Sequence, residues 1–170
     1  IRTPDDFGGM SIRVLPSDVQ ARTFELLGAT PIRMDLTEAI KGIVDGSLDA
    51  QENPFANTVT YGAHKYHHYH TLSNHFYISR SIMCNRTAYY TWSEELKIAM
   101  DEAVQEAIIW QRSQAEQEVI DSRKAIEDEG CEIVELTPEE QALFAAAVQP
   151  QHDDAREVFG DKMFELLKNP

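Results

Sequence analysis

From Ser93 to Glu129 the chain contains neither glycine nor proline, and Leu96, Met100, Ala103, Val104, Ala107, Ile108, Ala115, Val119 and Ile126 recur mostly three or four positions apart. That spacing is one face of an α-helix with a polar outer surface. Thr91 and Glu94 are spaced as a capping box, and Gly130 stands where a helix stops. At 1.5 Å per residue such a helix reaches about 55 Å, more than the width of a small domain. It must therefore lie along more than one body, or kink.

Ahead of it the pattern is short and alternating. Ser11–Leu15 is a β-rich run, followed by a helix that Ser17 caps and Gly28 ends. Thr30–Met34 is extended, and Thr37–Val44 is helical. Ser47–Glu52 is extended again, and a third helix runs from Phe55 to about Tyr66, with Pro54 in its first turn. Units this short point to an α/β sheet of mostly parallel strands. Residues 70–75 and 77–84 read as further strands, CEIVEL (131–136) as one more. TPEEQALFAAAV and the stretch near REVFGDKMFELLKN read as two terminal helices.

The net charge of -14 excludes function classes rather than choosing one. Nucleic-acid surfaces and polybasic membrane patches need clustered Lys and Arg. No apolar run approaches the ~20 residues of a membrane span. The first residues, IRTPDDFGG, carry no initiator Met and no basic-then-apolar leader, which neither shows nor excludes export. Cys84 and Cys131 form no CxxC motif; whether they pair depends on geometry and compartment. GxSxG, GxxxxGK[ST] and GxGxxG are all absent.

In parallel α/β sheets, ligands collect at the carboxyl ends of the strands. That rule gathers Arg13, Asp35 or Leu36, and Gln51 to Asn53 at one rim. An Arg fork and an Asn amide both donate to carboxylate oxygens. The plainer alternative is that Arg13 pairs with a surface acid and Asn53 caps the next helix. HKYHHYH (64–70) raises a metal site, but His64, His67 and His68 share a face only if the helix continues; a solvated helix end is the plainer reading.

DFGGMSIRV, FELLGATPIRMDLTEAI, DAQENPF and LSNHFY, in this order and at these gaps, resemble segments of the solute-binding proteins of tripartite ATP-independent periplasmic (TRAP) transporters, the DctP-like family. The long helix followed by EGCEIVEL resembles the same family. The resemblance implies an α/β, periplasmic-binding-protein-like two-lobed clamshell, of which this chain is the C-terminal part. Residues 1–75 would be mostly lobe II, 76–92 a crossover toward lobe I, 93–129 a helix spanning both lobes, and 130–170 the last strand and helices. It further implies a ligand site in which Arg13 pairs with an organic-acid carboxylate and Asn53 contacts it. Leu36 takes a position often aromatic in the family, Ala50 stands for its usual Gly, and Asp35, Gln51 and His75 join the candidate site. The implied protein is a periplasmic monomer without cofactor, metal or catalysis. It would capture a sugar acid or dicarboxylate for the membrane subunits of a TRAP transporter, without contacting nucleic acid. An α/β enzyme acting on a sugar acid, with a metal on His64, His67 and His68, is the alternative from another class; a ligand-sensing module is a third.

Overall fold

The computed structural model describes residues 1–166. It divides into two compact units, Ile1–Ser73 with Ile126–Pro170, and Asn74–Ala125. In the first, β1 (Ser11–Val14), α1 (Asp18–Leu26), β2 (Thr30–Arg33), α2 (Leu36–Asp45), β3 (Ala50–Gln51) and α3 (Phe55–Thr60) alternate along the chain. The strands form a parallel sheet in the order β2-β1-β3. Parallel crossovers are right-handed, so stepping from β1 to β2 and then back past β1 to β3 puts α1 and α2 on opposite faces.

Each face has its own core. Ile12 and Val14 are buried, with Ala21, Phe24, Leu27 and Ala29 from α1 and the turn after it. Phe7 meets Phe24 edge-on at 5.7 Å and Phe144 at 6.4 Å. A second cluster joins Ala39 and Ile43 of α2 to Leu48 and Ala63, with Ile32, Met34, Leu36 and Ile40 packed against it. Gly42 is packed closely here: a Cβ would fall 2.8 Å from Leu48 Cδ1, so the buried Leu48 side chain would have to shift. Ser17 caps α1 by accepting from Gln20 N. Asp35 caps α2, its Oδ1 accepting from Thr37 N at 2.8 Å and Glu38 N at 3.2 Å.

The third helix is shorter than its sequence suggests. α3 stops at Thr60, and Gly62, with φ 73°, turns the chain into a 3-10 turn at Ala63–Lys65. A left-handed glycine cannot continue a right-handed helix, so His64, His67 and His68 do not share a helical face. His64 is buried, its Nδ1 3.4 Å from Thr58 O, and His70 Nε2 lies 3.0 Å from His67 O. Among the described residues no group of three or more His, Cys, Asp or Glu side chains is placed to hold a metal ion.

The next strand, β4 (Tyr69–Leu72), pairs in parallel with β5 (Glu132–Glu135) in a second, two-stranded sheet. It ends before residue 75, because Asn74 takes a left-handed conformation with φ 47°. Cys131 donates its thiol to His64 O at 3.1 Å; both cysteines are free, and Cys84 is exposed. Among the described residues three terminal helices follow rather than two: α6 (Pro138–Ala147), α7 (Gln149–Phe159) and α8 (Asp161–Leu166). The extra break is Gly160, at φ 77° and ψ 162°. The continuation expected through Leu167, Lys168 and Asn169 lies outside the described residues.

The second unit holds α4 (Arg86–Thr91) and most of α5 (Glu94–Asp128). α5 runs 35 residues, about 52 Å, as one helix. Ser93 opens it, its Oγ accepting from Leu96 N; Thr91 instead closes α4 by donating to Ala88 O, so the Thr91–Glu94 box does not form. Gly130, φ 86°, ends it where expected. Residues 77–84 are not a strand. They carry no regular structure, with Tyr77 95% and Met83 87% exposed. An extended segment becomes a strand only when a neighbour completes its hydrogen-bond ladder, and among the described residues this unit contains no other strand.

Two outcomes follow from these local contacts. Asp35→Ala should destabilise the protein by about 1 kcal/mol in urea unfolding, whereas Asp35→Asn, which still caps, should change little. Burial holds His67 and His70 below the usual imidazole range, His70 also being held down by its neighbouring histidines. The unfolded chain therefore binds their protons more readily, and stability should fall as pH drops below ~6.5 toward the lowered folded values. Melting temperatures between pH 7 and 5 check this, and His70→Gln should flatten that slope.

Candidate functional site

The carboxyl ends of β1, β2 and β3 point the same way because all three are parallel. Between β1 and β3 the winding reverses, and at such a reversal the outgoing loops part and leave a crevice. Arg13 sits on the central strand beside this point, in register with Ile32 on one side and Gln51 on the other. Ile12 and Val14 face one side of the sheet by strand alternation, so Arg13 faces the other.

The position is unusual for a guanidinium. Arg13 is 1% exposed. Its Nε donates to Met34 O at 3.0 Å, and its Nη2 is buried without a hydrogen-bond partner among the described residues. Burial lowers its pKa; the charges of Glu52, then Asp35, then Tyr61 act in the opposite sense. An arginine keeps its charge even so. A buried cation with an unsatisfied donor is costly unless an anion completes it. Glu52 is itself buried, so its carboxylate shares the same interior. The alternative of Arg13 paired to a surface acid is not what forms.

Asn53 also departs from the plainer reading. The N-cap position of α3 is Pro54, with no side-chain cap hydrogen bond, so Asn53 does not cap that helix. Its Nδ2 donates to Gln51 Oε1 at 2.5 Å, and Gln51 Nε2 donates in turn to Thr58 Oγ1 at 3.3 Å. Leu36, half-buried at the start of α2, packs into the α2 cluster. Asp35 is exposed and engaged as the α2 cap. His75 belongs to the other unit, its ring 4.4 Å from that of Phe76. The structure thus brings Arg13, Asp35, Leu36, Gln51 and Asn53 to one end of one sheet, and His75 stands in a separate unit. Two residues of this end, Thr58 and Tyr61, escaped the sequence reading. Glu52 was gathered to the rim with Gln51 and Asn53, but its charge beside Arg13 was not read from it. Thr58 and Tyr61 lay inside an assumed helix and gave no signal of their own.

The chain matches DctP, the bacterial extracellular solute-binding protein family 7, over residues 1–158. It is 28% identical over 166 residues to the C4-dicarboxylate-binding periplasmic protein DctP of Rhodobacter capsulatus, covering 97% of this chain and 50% of that protein. Its fold superposes with a TM-score of 0.87, at 29% identity, on a TRAP periplasmic solute-binding protein of Roseobacter denitrificans with bound β-D-glucuronate, covering 93% of this chain and 52% of that one. The periplasmic ectoine-binding protein of Halomonas elongata superposes with a TM-score of 0.83 at 26% identity, covering 99% and 56%. The chain spans about half the length of the curated relatives it matches. No helix among the described residues is long and apolar enough to cross a membrane. By the extent of its match, the chain belongs to the bacterial extracellular solute-binding protein family 7, the DctP family.

Proposed function

We propose that the full-length protein is a periplasmic solute-binding protein that captures a small organic-acid anion, a sugar acid or a dicarboxylate, and delivers it to the membrane subunits of a TRAP transporter. It does so as a monomer, as the part of a two-lobed clamshell that supplies the capturing cation, and performs no chemistry on its cargo. The observation that carries this reading is the buried Arg13 guanidinium with an unpartnered Nη2 at the sheet reversal. A carboxylate satisfies that donor and neutralises the charge at once, by the paired geometry guanidinium groups favour. Carboxylates are also what relatives carry: β-D-glucuronate in the Roseobacter protein, C4-dicarboxylates by name in the Rhodobacter one.

Within this reading Arg13 takes the carboxylate and Asn53 donates to it, using the amide N–H that Gln51 leaves free. Leu36 supplies apolar wall. His75 remains a candidate on its motif alone, and Asp35 serves as a cap rather than a ligand contact.

Calorimetry on the full-length protein with D-glucuronate, D-galacturonate, succinate, L-malate and ectoine tests the proposal. Saturable binding of at least one acid, recovered unchanged, is the expected result; no binding of any acid overturns it. Arg13→Ala should weaken that binding by at least roughly a hundredfold, since charge-assisted hydrogen bonds and a buried charge are lost together. Arg13→Lys keeps the charge, loses the planar fork, and should still cost about tenfold. Wild-type affinity in Arg13→Ala would sink the assignment. Asn53→Asp is nearly isosteric and removes no helix cap, so the fold should tolerate it. It sets like charges together against a bound carboxylate, and binding should fall by at least about tenfold; unchanged affinity returns Asn53 to a structural role.

A further inference from the structure

Thr58 is 2% exposed and lies on α3. Its hydroxyl accepts from Gln51 Nε2 at 3.3 Å, while the other end of the same amide accepts from Asn53 Nδ2 at 2.5 Å. Gln51 therefore uses both ends of its side chain inside the protein. The backbone is held as well: Gln51 is paired in register with Arg13, and Thr58 N donates to Pro54 O at 3.0 Å. The carbonyl of Thr58 faces the buried His64 ring at 3.4 Å, and His64 O receives the Cys131 thiol. A line of hydrogen bonds thus runs from the start of β5 to the amide at the strand end.

We infer that Gln51 and Thr58 are positioning residues: the Gln51 amide, anchored on the Thr58 hydroxyl, holds the Asn53 side chain in one orientation for the ligand, and Gln51 itself does not touch the ligand. The inference rests on the reading of Asn53 as a carboxylate donor. Pro54 stiffens the backbone immediately after Asn53, but it leaves the Asn53 side-chain torsions free. An untethered Asn53 has to lose that freedom on binding, a cost of order tenfold or less per immobilised side chain. The Gln51 bridge removes the cost in advance. Without the Thr58 hydroxyl, one end of the buried bridge has no partner, and the bridge loosens.

The test is a double-mutant cycle in the full-length protein, with the tightest-binding acid of the panel above as probe. Gln51→Met and Thr58→Val should each weaken binding roughly three- to tenfold, and Thr58→Ser, which restores the hydroxyl, should recover wild-type affinity. In an Asn53→Ala background neither Gln51→Met nor Thr58→Val should weaken binding further, because the side chain they hold is gone. Full additivity with Asn53→Ala would show that Gln51 and Thr58 act independently of Asn53, and the positioning role would fall while the parent reading stood. Wild-type affinity in both Gln51→Met and Thr58→Val would also overturn it. If Asn53→Ala alone leaves affinity unchanged, the parent reading of Asn53 fails, and this inference fails with it. A merely structural effect of Thr58→Val would lower the melting temperature equally in both backgrounds without any coupling in affinity.

Discussion

A guanidinium buried on the central strand of a parallel sheet, with one nitrogen left unpartnered, is the constraint around which the first unit is arranged. Isolated charges are expelled from protein interiors. Arg13 stays because its neighbours are fixed: β1 is pinned by parallel partners on both sides, Met34 O accepts a hydrogen bond from Nε, and the negative charge of Glu52 lies close by. None of these satisfies Nη2. The remaining donor is thereby rigid and dry, which are the two properties that make a hydrogen bond to an anion strong.

The strand next to it performs a different task. β3 is only two residues long, Ala50 and Gln51, and then gives way to Glu52, Asn53 and Pro54. A short strand ends its ladder early and releases the following side chains from strand alternation. Polar groups in that position need partners of their own, and the Asn53–Gln51–Thr58 contacts supply them. Sheet pairing and side-chain hydrogen bonding thus divide the work of fixing this end of the sheet.

Much of this was legible from the residues. Ser17, Gly28 and Gly130 each carry a local signal with one physical meaning: α1 begins after Ser17 and ends before Gly28, and α5 ends before Gly130. The gathering of Arg13, Asp35, Leu36 and Gln51 to Asn53 followed from parallel strands alone. What the sequence hid depended on partners far along the chain or on a single torsion. Gly62 breaks α3 by adopting φ 73°, which composition cannot foretell. Residues 77–84 carry β-prone apolar residues at both ends, yet a strand is a relation between two segments. The burial of Arg13 was equally hidden, because an arginine near a strand end reads the same whether it faces water or the interior. The match between Gln51 and Thr58 needed the exact turn from β3 into α3.

The depth of Arg13 has a kinetic meaning. The chain carries a net charge of -14, and Arg13, the cation proposed to take an anion, is 1% exposed. Its field reaches solvent weakly, while the acidic surface repels from outside, and at physiological ionic strength both fade within about 8 Å. The charges of this chain supply no long-range attraction for an anion, of the kind that speeds association in electrostatically steered pairs. Under the proposed role, encounter is left to ordinary diffusion, and discrimination begins only once a solute has reached Arg13 and shed its water. In that role, an arrangement of this kind would sacrifice speed of capture and gain indifference to the many small anions that charge alone would have collected.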